Sequence, residues 1–280
     1  MIAVVGLTVF AVHTLRQQER ALNVARAPAT ALARIDAALA AFVAVHRRLP
    51  CPARGTIAAG ALNAGRESID LASGQCVPAN QADGVVPWST LGLSEADTLD
   101  PWSARISYRV QPSLANNLLR LMNMSWCDPA GTPSGSSGAS FACAAPCSGA
   151  ACTHPSNYLY AKGLPVKDAG GAWLSHPAPP WPGAPATPPP AATGAAYVLV
   201  SHGPNGAGAY NAAGVLQTGA SAAGSAELGN RNGQALNGAT VFTDSARVDN
   251  AGAATFDDVL SRPTLAAVLA AAALGPRTPH

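Results

Sequence analysis

The stretch that most constrains how this chain can fold is residues 48–110. It runs Arg48-Leu49-Pro50-Cys51-Pro52 and continues through a Gly-rich turn region to Cys76. Then come Gly84-Val85-Val86-Pro87-Trp88-Ser89-Thr90-Leu91-Gly92-Leu93 and Leu99-Asp100-Pro101-Trp102-Ser103-Ala104-Arg105-Ile106-Ser107-Tyr108-Arg109-Val110. Each proline removes a backbone donor and fixes φ, so long regular elements cannot run through it. Two Pro-Trp pairs precede short apolar runs, and the second run alternates as a half-buried strand does. Trp88 and Trp102 are therefore read as core anchors beside turns.

A helix enters this block. Leu32, Ile35, Leu39, Phe42 and His46 recur at spacings of three and four, Val43 and Leu49 widen the same face, and Arg34 and Asp36 fall elsewhere. Pro28 predicts a kink or break with Thr30 as the following N-cap, and Pro50 predicts the end of the helix. His46 is expected to pack or snorkel on the apolar face. Upstream, residues 1–15 (MIAVVGLTVFAVHTL) are apolar but would rise only about 22 Å as a helix, short of the roughly 30 Å hydrocarbon core. They are read as the C-terminal part of a longer membrane helix whose beginning was lost to a late start codon. A signal-like segment and a buried helix of a soluble protein are the alternatives. No basic leader or small-x-small cleavage site supports the former. Arg16 and Arg20 pull the topology the other way by the positive-inside rule, unless basic residues further upstream outweigh them.

Charged residues make up 11%, against 27 glycines and 24 prolines in 280 residues, a balance that favours a loop-rich secreted fold over a cytosolic helical enzyme. The 17 Lys and Arg are dispersed and the net charge is +2, so no nucleic-acid partner is expected. Six cysteines form an even set, which in so turn-rich a chain points to disulfides in an oxidising compartment. Cys51 and Cys76 are the pair chosen, because a bridge would close an otherwise loose Gly-rich loop, worth about 3 kcal/mol in the chain-entropy account. Cys127, Cys143, Cys147 and Cys152 are left to pair among themselves in an open order. A zinc knuckle from Cys143, Cys147, Cys152 and His154 matches no common spacing.

Beyond the block, a helix is expected over residues 113–124 with Ser113 as its cap, then low-complexity chain over 129–156. Short strands are expected over 157–164 and 172–174. Residues 176–192 carry eight prolines in 17 positions, an extended polyproline-type loop. Residues 195–201 form the best strand of the second half, and His202-Gly203-Pro204-Asn205-Gly206-Ala207-Gly208 is a tight turn with a hairpin signal. A strand over 239–243 and an Ala/Leu helix over 264–274, stopped by Gly275-Pro276, complete the chain.

The order of the helix, Leu49-Pro50-Cys51-Pro52, Pro87-Trp88-Ser89-Thr90-Leu91-Gly92-Leu93 and Asp100-Pro101-Trp102 resembles the pseudopilins and minor pilins of type II secretion and type IV pilus systems. The resemblance covers residues 32–110 and returns weakly over 197–260. It lacks the N-terminal Gly-Phe-Thr-Leu-Ile-Glu type processing motif. It implies an α+β fold, pilin-like, with a long N-terminal helix packed on a small antiparallel sheet and long disulfide-stapled loops. Residues 1–15 would be the membrane remnant, 16–49 the amphipathic stalk and 50–280 a periplasmic head. The implied function is a structural subunit of the bacterial inner membrane, single-pass. Its partners would be other pilin-like subunits, met through the helix, and the membrane, with no small-molecule substrate. In that family a Ser-x-Gly-x-Asp-Gly loop and a terminal acidic motif hold calcium. Here the loop is Ser201-His202-Gly203-Pro204-Asn205-Gly206, with Asn205 in place of the ligand-type Asp, and Ser103 stands where a Gly would follow Trp102. The candidate calcium ligands are Asp244, Asp257, Asp258 and Asn205, with Asp249 as a further carboxylate. The competing reading of Asp257 and Asp258 is as first-turn acids at a helix N-terminus.

No enzyme is expected. There is no Gly-x-Ser-x-Gly elbow, His-Glu-x-x-His or phosphate loop, and nothing orients a cysteine against His46, His154, His176 or His202. A disulfide-rich hydrolase would need a Cys or Ser beside a His in the fold. The other rival is a periplasmic or surface binding module that presents Trp173 and Trp181 beside the proline run.

Overall fold

The computed structural model describes residues 27–77, 81–118, 122, 163–176, 194–218, 226–234, 240–248 and 256–274. Residues 1–15, the four cysteines after Cys76, His154, Trp181, Asp249 and the proline run after His176 lie outside the described residues.

Helix α1 (Ala27–His46) has 20 residues and is long and apolar enough to cross a membrane. Its inner face is set by the predicted spacing: Leu32, Ile35, Leu39 and Val43 are each at most 3% exposed. Burying such side chains contributes about 1.5–3 kcal/mol each. α1 runs unbroken through Pro28 and Thr30, so neither the break nor the cap expected there forms. Arg47, at φ 58, turns the chain left-handed, and the helix stops at His46, ahead of Pro50. His46 is exposed and stacks on Phe42.

The strands are β1 (Ala53–Arg54), β2 (Gly84–Val85), β3 (Ser107–Val110), β4 (Val166–Lys167), β5 (Trp173–Ser175), β6 (Tyr197–Ser201), β7 (Phe242–Thr243) and β8 (Val259–Ser261). They form a five-stranded antiparallel sheet in the order β1-β2-β3-β6-β8 and a three-stranded sheet in the order β5-β4-β7. In the register of β3 with β6, Tyr108 faces Leu199 and Ser107 faces Val200. Tyr108, Val110, Tyr197 and Leu199 share the main core with α1, and Val198 and Val200 pack the other way against Val166 and Phe242. β3 is therefore buried along its whole length, not half-buried as its alternation predicts. Its polar side chains, Ser107 and Arg109, have a covered face of their own.

Helix α2 (Leu265–Ala271) joins the same face of the sheet as α1 through Leu265, Val268 and Leu269. Thr264 caps it by accepting from the Ala267 N–H, and the left-handed Ala273 ends it before Gly275. The helix predicted from Ser113 is instead a 3₁₀ turn, Pro112–Ala115, capped by Gln111. It goes no further because Asn116 is extended and its side chain accepts from the Leu118 N–H. The architecture is thus α+β, with an N-terminal helix on an antiparallel sheet and a disulfide.

That disulfide joins Cys51 to Cys76, the pair chosen from loop closure, and both residues lie in the main core. Beside it, Arg48 grips Glu67 through two hydrogen bonds of 2.8 Å, and the Cys51 N–H donates to the same carboxylate at 2.9 Å. The exit of α1 is fastened to the head by these contacts.

Candidate functional site

β6 ends at Ser201, and the turn that follows brings the end of the sheet against the segment before β8. Gly203 and Gly206 both have φ 61, which favours glycine. At Gly203 the need is also spatial, since a Cβ there would sit 2.6 Å from the Asp257 side chain and carbonyl. The turn and Asp257 are therefore pressed together. Asn205 accepts from the Ala207 N–H at 2.7 Å and donates from Nδ2 to Asp257 Oδ1 at 2.7 Å and to Glu227 Oε2 at 3.2 Å.

Glu227 comes from the 3₁₀ turn Ala226–Asn230, and its Oε1 accepts from the Asp257 N–H at 2.8 Å. Asp258 Oδ2 accepts from Asn230 Nδ2 at 2.8 Å, and Asn230 is itself tied to both backbone groups of Thr243 in β7. Carboxylate oxygens of Glu227, Asp257 and Asp258 lie within 4.8 Å of one another, and the three residues are 0–4% exposed. Burial, reinforced by the neighbouring Glu227, pushes Asp257 up to about 7 and raises Asp258 well above the usual carboxylate range. Asp258 Oδ1 has no hydrogen-bond partner.

Against that orphan oxygen stands a second buried network. His202 Nε2 is 2.7 Å from Ser107 Oγ, and Asn232 Nδ2 donates to the same Oγ at 2.6 Å. Arg109 donates to Asn232 Oδ1 at 2.7 Å and to the carbonyls of Ala82 and Gly84. The Ser107 hydroxyl can accept from Asn232 and either donate to or accept from Nε2, according to the tautomer of the ring. Nδ1 lies 3.6 Å from Asp258 Oδ1.

Ser107, His202 and Asp258 therefore stand in the order of a nucleophile, base and orienting acid, which meets the requirement set for a hydrolase. Its chemistry does not follow. Ser107 and His202 are 0% exposed, and burial, together with the charge of Arg109, lowers His202 to about 3. A base of that strength takes no proton near neutrality, and the hydroxyl meets no solvent. The network is better suited to fixing β3, the turn and the acidic cluster in one register.

Of the residues singled out in the sequence, Asn205, Asp257 and Asp258 come together. Asp244 does not: it is drawn off to an ion pair with Arg262 Nε at 2.6 Å, on the far side of β7 in the chain. The helix-cap reading of Asp257 and Asp258 fails because they precede β8, while Thr264 caps α2. Glu227 was missed, although it is the one acid between Asn211 and Gly238. Trp88 is 7% exposed in a core cluster with Tyr210 and has the Arg105 guanidinium 4.9 Å from its ring. Trp102 is only half-buried and anchors no core: Asp100 accepts from its N–H and folds the Pro-Trp pair into a turn outside the sheet.

The oxygen-rich donor set of Glu227, Asp257 and Asp258 fits a hard divalent cation such as calcium. Comparison with known proteins finds no matching family model, no matching curated protein and no matching solved structure.

Proposed function

We propose that the chain is a single-pass, membrane-anchored structural subunit of pilin-like type. In this reading it assembles through its N-terminal helix with other such subunits in a bacterial secretion or pilus system, and its head stands in the periplasm. The observation that carries this is the two-sidedness of α1. Its inner face is locked into the head, while Ala33, Ala37, Ala41 and Val45, spaced by four, form an exposed ridge that the head leaves free. Small residues in such a ridge allow the backbone of a second helix to approach closely. An open groove of about 640 Å³ runs along it, lined by Ala37 and Ala41 of the ridge together with Ala40, Ala44, Ala267 and Ala271. Because the head occupies the inner face of α1, the apolar residues 1–15 upstream are assigned the anchoring role.

The test is a photoreactive amino acid at Ala33 or Ala37 in the full chain, expressed in its cell of origin. The expected result is a membrane-fraction product joining the chain to the helix of another pilin-like subunit, with none from the same probe at Leu62, which is 87% exposed on the head. A protein that stays soluble and uncrosslinked from α1 would overturn the reading.

A further inference from the structure

We propose that the groove between α1 and α2 binds a small amphipathic cation, a primary ammonium on an aliphatic tail, with Asp36 receiving the ammonium. At about 640 Å³ the groove has the volume of a small-molecule site. Ala40 and Ala44 wall it on one side and Ala267 and Ala271 on the other, with Val268 beside them. Asp36 is the one charged residue among those described that line it, and it is the first of the five contributed by α1. Ala44, the last of the five, lies about 12 Å further along the helix axis. The groove therefore has a charged end and an aliphatic remainder, the layout of a ligand with a polar head and an apolar tail.

Asp36 is held in place by two hydroxyls. Tyr197 Oη donates to Oδ1 at 2.8 Å and Ser261 Oγ donates to Oδ2 at 2.7 Å. An ionised carboxylate offers about four lone-pair positions, so each oxygen keeps room for a further donor. The side chain is half-buried at the groove wall, and among the described residues none of the ion pairs reaches it. A charge withdrawn from water into apolar surroundings is stabilised by a partner of opposite sign. A primary ammonium brings that charge and three N–H donors for the free lone pairs. A neutral alcohol brings no charge. A quaternary ammonium has no N–H, and it is recognised by a cage of aromatic rings, whereas the ring of Tyr197 is the one aromatic ring among the described lining residues. The aliphatic tail follows from the alanine methyls, which it would cover and remove from water.

The inference rests on the groove alone. Ala37 and Ala41 belong to both groove and ridge, so a bound cation would compete with a second helix there, but binding to the unassembled chain needs no partner subunit. The probe is n-octylammonium, titrated into the full chain by calorimetry below the concentration at which the amine forms micelles. Saturable binding of one equivalent is expected. Octanoate, with a similar tail and the opposite charge, and ethylammonium, with the charge and almost no tail, are each expected to bind about tenfold or more weakly. Asp36→Asn can still accept from one hydroxyl and donate to the other, and it is expected to weaken octylammonium binding about tenfold or more, as loss of a charged hydrogen-bond acceptor does. Ala267→Phe fills the groove from an exposed position and leaves Asp36 intact, and a comparable loss is expected. Ala33→Phe, on the ridge but outside the groove lining, is expected to bind as wild type. Near-UV circular dichroism checks that each variant is folded. No saturable binding by folded wild type, equal affinity for octanoate, unchanged affinity in folded Asp36→Asn or Ala267→Phe, or an equal loss in Ala33→Phe would each overturn the proposal.

Discussion

Asp100 shows how a single residue turns a Pro-Trp pair into structure. Its Oδ1 accepts from the N–H groups of Trp102 and Ala104, and its Oδ2 accepts from Ser201 Oγ at the end of β6. One carboxylate thus shapes the turn and joins it to β6, and the left-handed Ser103, at φ 65, completes the reversal. Asp100→Ala should cost about 1–3 kcal/mol, because three donors lose their buried acceptor, and chemical denaturation would measure it. The side chain also carries a pH dependence. Burial outweighs its hydrogen bonds and raises the folded value above the ordinary 3.8. Below 3.8 both states hold the proton and nothing is lost. As pH rises from 3.8 through the raised folded value, the native state must ionise a buried group, and its stability falls. Asp100→Asn, which keeps the acceptor and stays neutral, should flatten that part of the stability profile; an unchanged slope would mean that another group sets it. Trp102 was misread because an aspartate-directed turn and a core anchor share the same Pro-Trp signature.

At the level of elements, α1 and β6 were legible because each carries its burial in its own period: Leu32, Ile35, Leu39 and Val43 in one, an uninterrupted apolar run in the other. Leu39→Ala should destabilise by about 2–5 kcal/mol. Val45→Ser, on the outer ridge and 73% exposed, should stay within about 0.5 kcal/mol. Equal losses from the two would mean that α1 is not seated by the face described. β3 was only partly legible. Its alternation separates Tyr108 and Val110 from Ser107 and Arg109, but a period of two says nothing about what covers the polar side. The cover is Asn232, whose bond to Ser107 spans 125 residues. The candidate site divides in the same way. Asn205, Asp257 and Asp258 stand out by the order of the turn and acidic pair, whereas Glu227 sits in an Ala/Gly-rich loop whose placement depends on tertiary contacts. Gly203→Ala belongs to this scale as well: a methyl group there would meet Asp257, so it should both destabilise the fold and displace the acidic cluster.

Across the whole molecule, one core cluster contains the inner face of α1, the faces of β3 and β6, both bridged cysteines and the buried side of α2. Helix and head share this largest cluster, so they should unfold together. The Cys51–Cys76 bridge closes a loop across a separation of 25 residues and fixes where α1 hands over to the sheet. Replacing both cysteines by alanine removes that cross-link without leaving a free thiol at either position. The expected cost is about 2–5 kcal/mol. Because the bridge lies inside the shared core, the loss should appear as one transition moved to lower temperature, with the far-UV helix signal and the near-UV aromatic signal still coincident. If the helix signal instead melted first and alone, α1 would be tethered to the head mainly by the bridge and the Arg48–Glu67 clamp. Its exposed ridge would then no longer be held at a fixed angle for a neighbouring subunit.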